Sequence, residues 1–243
     1  VGLGMTILAG HVEFVYYVLL VMGFWAGLRL LHLLISRRTS FLQAVQKGIT
    51  LLALVGLGIG IGAVQFLPFL ELAGGSFREG RSTFEQIRGY AFPPRHALIY
   101  LMPNLFGNPT QHTYFDVFAG ETRPVAWTVN GATLTDTMMP GGKNYVEGAA
   151  YVGILTLFLA VLGATAPQPR PDLGKGDMDA LRGVYRSLIV LLTLAAGSFT
   201  FGTITYALLY YGLPGFNQLH SPFRWVFPLT LCLAALAGFG VDG

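Results

Sequence analysis

ITLLALVGLGIGIGAVQFLPFLEL, residues 49–72, decides how this chain folds. Glu71 is its one charged residue, and Pro68 breaks the run only near the end. Inside it, GLGIGIGA at 56–63 has the spacing of a nucleotide-binding glycine loop. Such a loop needs a strand before it and a helix N-terminus after it. Here both flanks are apolar, and the run is long enough to cross a bilayer as a helix of about 20 residues. Gly56/Gly60 and Gly58/Gly62 are each four apart, so each pair shares a helix face where a second helix can approach closely.

Four more stretches read the same way, and together they predict transmembrane helices at residues 12–35, 49–72, 146–166, 187–210 and 223–241. Composition agrees. Of the 243 residues, 53% are hydrophobic and 11% charged, and mean hydropathy is +0.58. Soluble domains carry about 25% charged residues. The fold class read from this is an all-α polytopic membrane protein. The formal charge of +3 does not point to nucleic acid, because the basic residues sit in short loops beside apolar runs, as membrane orientation demands. A lone Cys232 in an apolar run excludes an internal disulfide or a cysteine-based zinc site. The chain opens on Val1, and its last apolar run stops at Gly243. Residues 1–243 therefore read as an internal fragment of one transmembrane domain. Residues 1–10 read as the end of an earlier span or a re-entrant piece.

The loops predict sidedness. Residues 36–48 carry Arg37, Arg38 and Lys47, and residues 167–186 carry Arg170, Lys175, Arg182 and Arg186. Short basic loops stay cytoplasmic, and the even number of spans between these two lets both do so. The long loop 73–145 is then extracytoplasmic. Within it Pro93 and Pro94 precede a short apolar run that Pro103 ends, which predicts a short interfacial helix over 95–102. TYFDVF and VAWTV are β-prone runs separated by turn residues, the pattern of hairpins.

Candidate chemistry gathers at the outer boundary. His11 and Glu13 lie at the mouth of the first span, Glu71 at the end of the second and Glu147 at the start of the third. Arg95 and His96 begin the interfacial helix, and His220 and Arg224 flank the start of the last span. Ionisable groups at membrane depth are costly and face a partner or a polar cavity. Against that, headgroup-level side chains snorkel cheaply, as Arg29, His32 and Arg37 do at the opposite boundary. Three glutamates at span ends are not explained by attraction to anionic lipid. Glu13/Tyr17 and Glu147/Tyr151 are i,i+4 pairs, so each tyrosine either anchors at the interface or orients its carboxylate. Arginines in such a cluster suit phosphate oxygens, and a carboxylate there suits a general base toward a hydroxyl. Ser221 and Pro222 read as a helix start. Asp177-Met178-Asp179 has a DxD spacing, but it sits in a polar loop among basic residues and reads as a loop or helix start. No metal ligands are assigned and no cofactor is called for; dependence on a divalent metal stays open.

Several segments, in order, resemble the YfhO-like family of bacterial membrane proteins and, through it, the C-type membrane glycosyltransferases. They are AGHVEFVYYVLL (9–20), VQFLPFLEL (64–72), FPPRHALIYLMPNLFG (92–107), NYVEGAAYVGILTLFLA (144–160) and LPGFNQLHSPFRWVFPLTL (213–231). His220 departs from the pattern, standing where an arginine or another polar residue is expected. The resemblance implies a multi-pass enzyme of the bacterial cytoplasmic membrane with its active face outside. It would take a sugar from a polyprenyl-phosphate donor and pass it to a cell-envelope glycan or glycolipid acceptor. It also implies a catalytic acid in a first outer loop N-terminal to Val1, leaving Glu71 and Glu147 as the catalytic candidates within this chain. His11, Glu13, Arg95, His96, His220 and Arg224 are the candidate substrate-binding residues. An O-antigen-type polymerase or ligase is the neighbouring alternative. A lipid or solute transporter, or a non-catalytic membrane scaffold, is the alternative of another class. A transporter would place charges and broken helices at the midplane, whereas these spans are apolar there.

Overall fold

The computed structural model describes residues 1–74, 83–108, 113–124, 128–129, 132–133, 149–166, 176–213, 216–218 and 222–242. It is mostly helical. Where the sequence reads as one domain, the chain divides into two compact units, Val1–Arg81 and Ser82–Gly243. Among the described residues, four helices are long and apolar enough to cross a membrane: Glu13–Ile35, Phe41–Leu72, Leu181–Thr200 and Pro222–Val241.

In the first unit, α1 (Gly2–Leu8) turns at Gly10 (φ 82) into α2 (Val12–Ile35), and a short link leads to α3 (Phe41–Gly74). The opening residues, ambiguous in sequence, are thus a helix. It packs on α3 through glycine. A Cβ on Gly58 would lie 2.9 Å from Leu3, and one on Gly62 would lie 2.6 Å from Ile7. Gly4 meets Ile61 in the same way. Of the two glycine pairs, Gly58/Gly62 makes this seam, while Gly56 and Gly60 face open space. The α3 helix starts eight residues ahead of the expected span. Ser40 and Gln43 cap it reciprocally: Gln43 N donates to Ser40 Oγ at 3.3 Å and Ser40 N to Gln43 Oε1 at 3.1 Å. These bonds satisfy two N–H groups at the helix start. At 1.5 Å per residue its 34 residues run about 51 Å, well beyond the roughly 30 Å of hydrocarbon.

The second unit holds α4 (Phe84–Gly89), a 3-10 turn (Pro94–Tyr100) and two small hairpins, β1 (Thr113–Asp116) with β2 (Glu121–Pro124) and β3 (Thr128–Val129) with β4 (Ala132–Thr133). Then come α5 (Ile154–Thr165), α6 (Gly176–Thr200), α7 (Ala207–Gly212) and α8 (Val226–Val241). The short helix expected at 95–102 is the 3-10 turn, started by Pro94. The expected span 146–166 is helical only over Ile154–Thr165 within the described residues, because Gly153 at φ 92 sets a non-helical start. Twelve residues cover about 18 Å. The expected span 187–210 is displaced toward the N-terminus. Its helix, α6, already runs from Gly176 and stops at Thr200, where Gly202 (φ 56) turns the chain. Residues 176–186, read as cytoplasmic loop, are therefore helical, with Asp177 and Asp179 in the first turn.

The α5 and α8 backbones touch. A Cβ on Gly163 would fall on the Leu236 carbonyl, and one on Gly240 on the Leu159 carbonyl. Ala160, Leu236 and Ala237 are buried along this seam, with Ile189 and Val190 of α6 packed against them. Between helices in lipid, such close backbone approach replaces the missing hydrophobic drive. At this end of the bundle, Arg186 Nη1 donates to the Ala166 carbonyl at 2.6 Å, and Arg182 pairs with Asp242 at 3.2 Å. At the other end lies an aromatic layer. Phe199 meets Trp225 at 4.9 Å, Tyr206 meets Phe216 at 5.6 Å, and Phe92 stacks on Phe223 at 5.9 Å.

Candidate functional site

The aromatic layer is where loop 73–145 meets the helices. Thr83 and Gln86 form a capping box that starts α4. The segment after α4 bonds to the end of α6. Phe92 N donates to the Thr200 carbonyl at 3.0 Å, and Arg88 Nε donates to the Gly202 carbonyl at 2.8 Å. Gly202 must be glycine here, since its φ is left-handed and a Cβ would run into Ala91.

Pro93 and Pro94 start the 3-10 turn that presents Arg95 and His96. His96 is fully buried, 5.5 Å from the Phe92 ring and 4.9 Å from Phe106. Arg95 lies over the other side of this cluster, 5.3 Å from the Phe106 ring, a cation–π position.

The β1–β2 hairpin completes the site. Its burial alternates, so Tyr114 and Asp116 face inward, and the register sets Tyr114 opposite Arg123 and Asp116 opposite Glu121. Gly120 (φ 68) closes the turn. Asp116 is 1% exposed. Its Oδ1 accepts from the backbone N–H of Phe118 at 3.0 Å and of Ala119 at 3.3 Å. Three groups converge on Oδ2: Arg95 Nη1 at 3.4 Å, Tyr114 Oη at 3.5 Å and Arg123 Nη1 at 3.6 Å. Arg123 also donates through Nε to Glu121 Oε1 at 2.9 Å.

Burial alone would push the Asp116 carboxyl up. The Phe118 and Ala119 N–H groups and the Arg123 and Arg95 guanidiniums outweigh it and hold the carboxyl below its ordinary value. Burial, then the Asp116 carboxylate, pushes the Tyr114 phenol up. Its hydrogen bond to Glu121, above all, raises Arg123. Burial pushes the Tyr100 phenol up strongly, and its hydroxyl has no hydrogen-bond partner among the described residues. The cluster is an ionised carboxylate gripped by two arginines, each still about one-third exposed. Since every guanidinium has five N–H donors, both retain donors for a further anion.

Arg224 lies in the same unit and is half-buried, its guanidinium 5.8 Å from the Phe223 ring. Phe223 stacks on Phe92, and Phe92 meets His96. The Arg224 segment and the Arg95–His96 segment, far apart in sequence, thus share one aromatic stack. Glu147 and His220 lie outside the described residues. His11, Glu13 and Glu71 belong to the first unit. Glu13 is buried, and Tyr17 donates to its Oε1 at 2.6 Å, so this i,i+4 tyrosine orients the carboxylate. His11 is exposed beside Phe14, with ring centroids 4.5 Å apart. Glu71 is exposed in the last turn of α3.

Sequence reasoning missed Asp116, Arg123 and Tyr114. The available signal was the alternation of TYFD before VFAG and ETRP, which sets an aspartate at an inward strand position opposite charged residues. Among the described residues, no three His, Cys, Asp or Glu side chains group as a metal site would require. Set against protein-family models, curated proteins and solved structures, the chain matches none of them.

Proposed function

We propose that the chain is part of a membrane glycosyltransferase. It moves a sugar from a polyprenyl-phosphate carrier to a cell-envelope acceptor on the extracytoplasmic face of a bacterial cytoplasmic membrane. The observation that carries the reading is the Arg95–Asp116–Arg123 cluster, placed outside any span on a loop bonded to the end of one. A lipid-linked phosphosugar presents its phosphate at that depth. Arg95 and Arg123 would bind phosphate oxygens with the donors left over from Asp116. Asp116, held ionised and filled by donors of its own chain, is a positioning residue rather than a base. The family resemblance implies a catalytic acid in a first outer loop N-terminal to Val1, and Glu71 and Glu147 are the candidates within this chain.

The test uses the full-length protein and a labelled polyprenyl-phosphate-sugar donor. R95K and R123K are expected to raise the donor KM at least tenfold with insertion unchanged. Replacing Glu71, Glu147 or Arg224 with alanine is expected to abolish transfer. Full activity in all three alanine variants sinks the site assignment.

One observation favours a second reading, a scaffold whose cluster only clasps the hairpin: the Phe118 and Ala119 N–H groups, Tyr114, Arg95 and Arg123 already surround Asp116. On that reading R95K loosens the hairpin and leaves the donor KM unchanged.

A further inference from the structure

Among the described residues outside the four span-length helices, the β1–β2 hairpin tip exposes a close group of apolar side chains. Phe115 is 58% exposed, Val117 56% and Phe118 60%. Leu101 and Met102, just after the 3-10 turn, are exposed as well. A water-facing hairpin places polar residues on the face opposite its buried one. Here the inward face carries the charge, Asp116, Glu121 and Arg123, and the outward face carries Phe115 with the uncharged Thr113 and Thr122. This inverted polarity is what a strand pair facing lipid would show.

Connectivity sets the depth. The segment leading to the hairpin is hydrogen-bonded to Thr200 and Gly202, at the end of the span Leu181–Thr200. Phe92 in that segment stacks on Phe223, at the start of the span Pro222–Val241. Phe106 then stacks on Phe118 at 6.4 Å, in the hairpin turn itself. The tip is therefore tied through a chain of ring contacts to the ends of two span-length helices. Beside it, the guanidiniums of Arg95 and Arg123 remain about one-third exposed, matching the anionic phosphates of lipid headgroups.

We infer that the β1–β2 hairpin is a membrane-surface anchor, with Phe115, Val117 and Phe118 inserted into the headgroup–acyl boundary of the bilayer that holds the spans. The arginines lie at phosphate depth, and the loop is pinned to the surface rather than projecting into water. Aromatic and aliphatic side chains with neighbouring arginine are the composition such interfacial elements use. The anchoring does not depend on sugar transfer and stands if that reading fails.

The experiment places single cysteines at Phe115, Val117 and, on the same strand-pair face as Phe115, Thr122. Cys232 is replaced by alanine. The full-length protein is reconstituted in phosphatidylethanolamine–phosphatidylglycerol vesicles and spin-labelled. Collision rates with oxygen, which concentrates in the bilayer, are compared with those of a water-soluble nickel chelate. F115C and V117C are expected to favour oxygen over nickel at least threefold more than E85C on exposed α4, with T122C between them. Nickel access equal to that at E85C overturns the inference. So does protection from both reagents, which means a protein, a second copy or a partner, covers the tip.

Discussion

Asp116 concentrates the electrostatics of the second unit on one carboxylate. Its folded pKa lies below its unfolded value, so its contribution to stability is fully present above the unfolded value of about 3.9. That contribution is lost as pH falls through the folded value. The protection of the Phe118 and Ala119 amides against exchange, relative to their intrinsic rates, should therefore hold down to about pH 4 and fall below it. In D116N the same amides should exchange faster at neutral pH, and their rates should lack this additional acid-induced loosening. In the first unit the Tyr17 hydroxyl donates to the buried Glu13 side chain at 2.6 Å. Y17F leaves that carboxylate short of a donor, at a cost of about 1–3 kcal/mol. In an E13Q background the same change should cost clearly less, and thermal unfolding of the four proteins in detergent measures the coupling. At this scale the sequence was readable where partners sit at fixed spacing, as Glu13 and Tyr17 do. Asp116 escaped because its two arginine partners come from the facing strand and from a turn some twenty residues earlier, and neither is a spacing.

Helices were legible wherever an apolar run ended on a strong signal. The α2 bounds follow from the sequence directly, and α8 differs only in its 3-10 first turn. The other ends were decided by features that hydropathy does not weigh. A reciprocal Ser40–Gln43 cap drew α3 back to Phe41, while Gly153 and Gly202 cut α5 and α6 with left-handed backbone. Glycine also separates seam from surface. G163L must push the α5 and α8 backbones apart and should cost 3 kcal/mol or more, at or above the upper end of the roughly 1–3 kcal/mol of ordinary overpacking. G60L, facing open space, should shift stability by no more than about 0.5 kcal/mol. Melting of both variants in the same detergent checks the contrast, and equal losses would remove the close α5–α8 contact from the account.

For the molecule as a whole, membrane character was plain from composition, and the two-unit division was not. A boundary between units is made by which helices bury one another, and apolar runs facing lipid look alike whichever unit they join. Sidedness rests on the basic loops. Residues 36–48 and 167–175 should be modified from the cytoplasmic side by a membrane-impermeant thiol reagent at introduced cysteines, and residues 108–112 from the opposite side. That result requires the chain to cross at α5, although its helix covers only about 18 Å. The five non-helical residues 149–153 can add up to about 17 Å at 3.3 Å each, which together reaches across the hydrocarbon. Non-helical backbone at that depth is tolerated only against protein, and Ala150 is buried.

The backbone contact of Gly163 with Leu236 therefore also sets an order of events during synthesis. A ribosome delivers α5 before α6, α7 and α8 exist. A 12-residue helix has little to hold it in lipid on its own. Its docking surface on α8 emerges only after α5, α6 and α7. A nascent chain arrested before Pro222 should therefore still expose residues 149–153 to protease. If α5 is a crossing, as the sidedness above requires, its integration is a late step, completed when α8 arrives rather than when α5 is made.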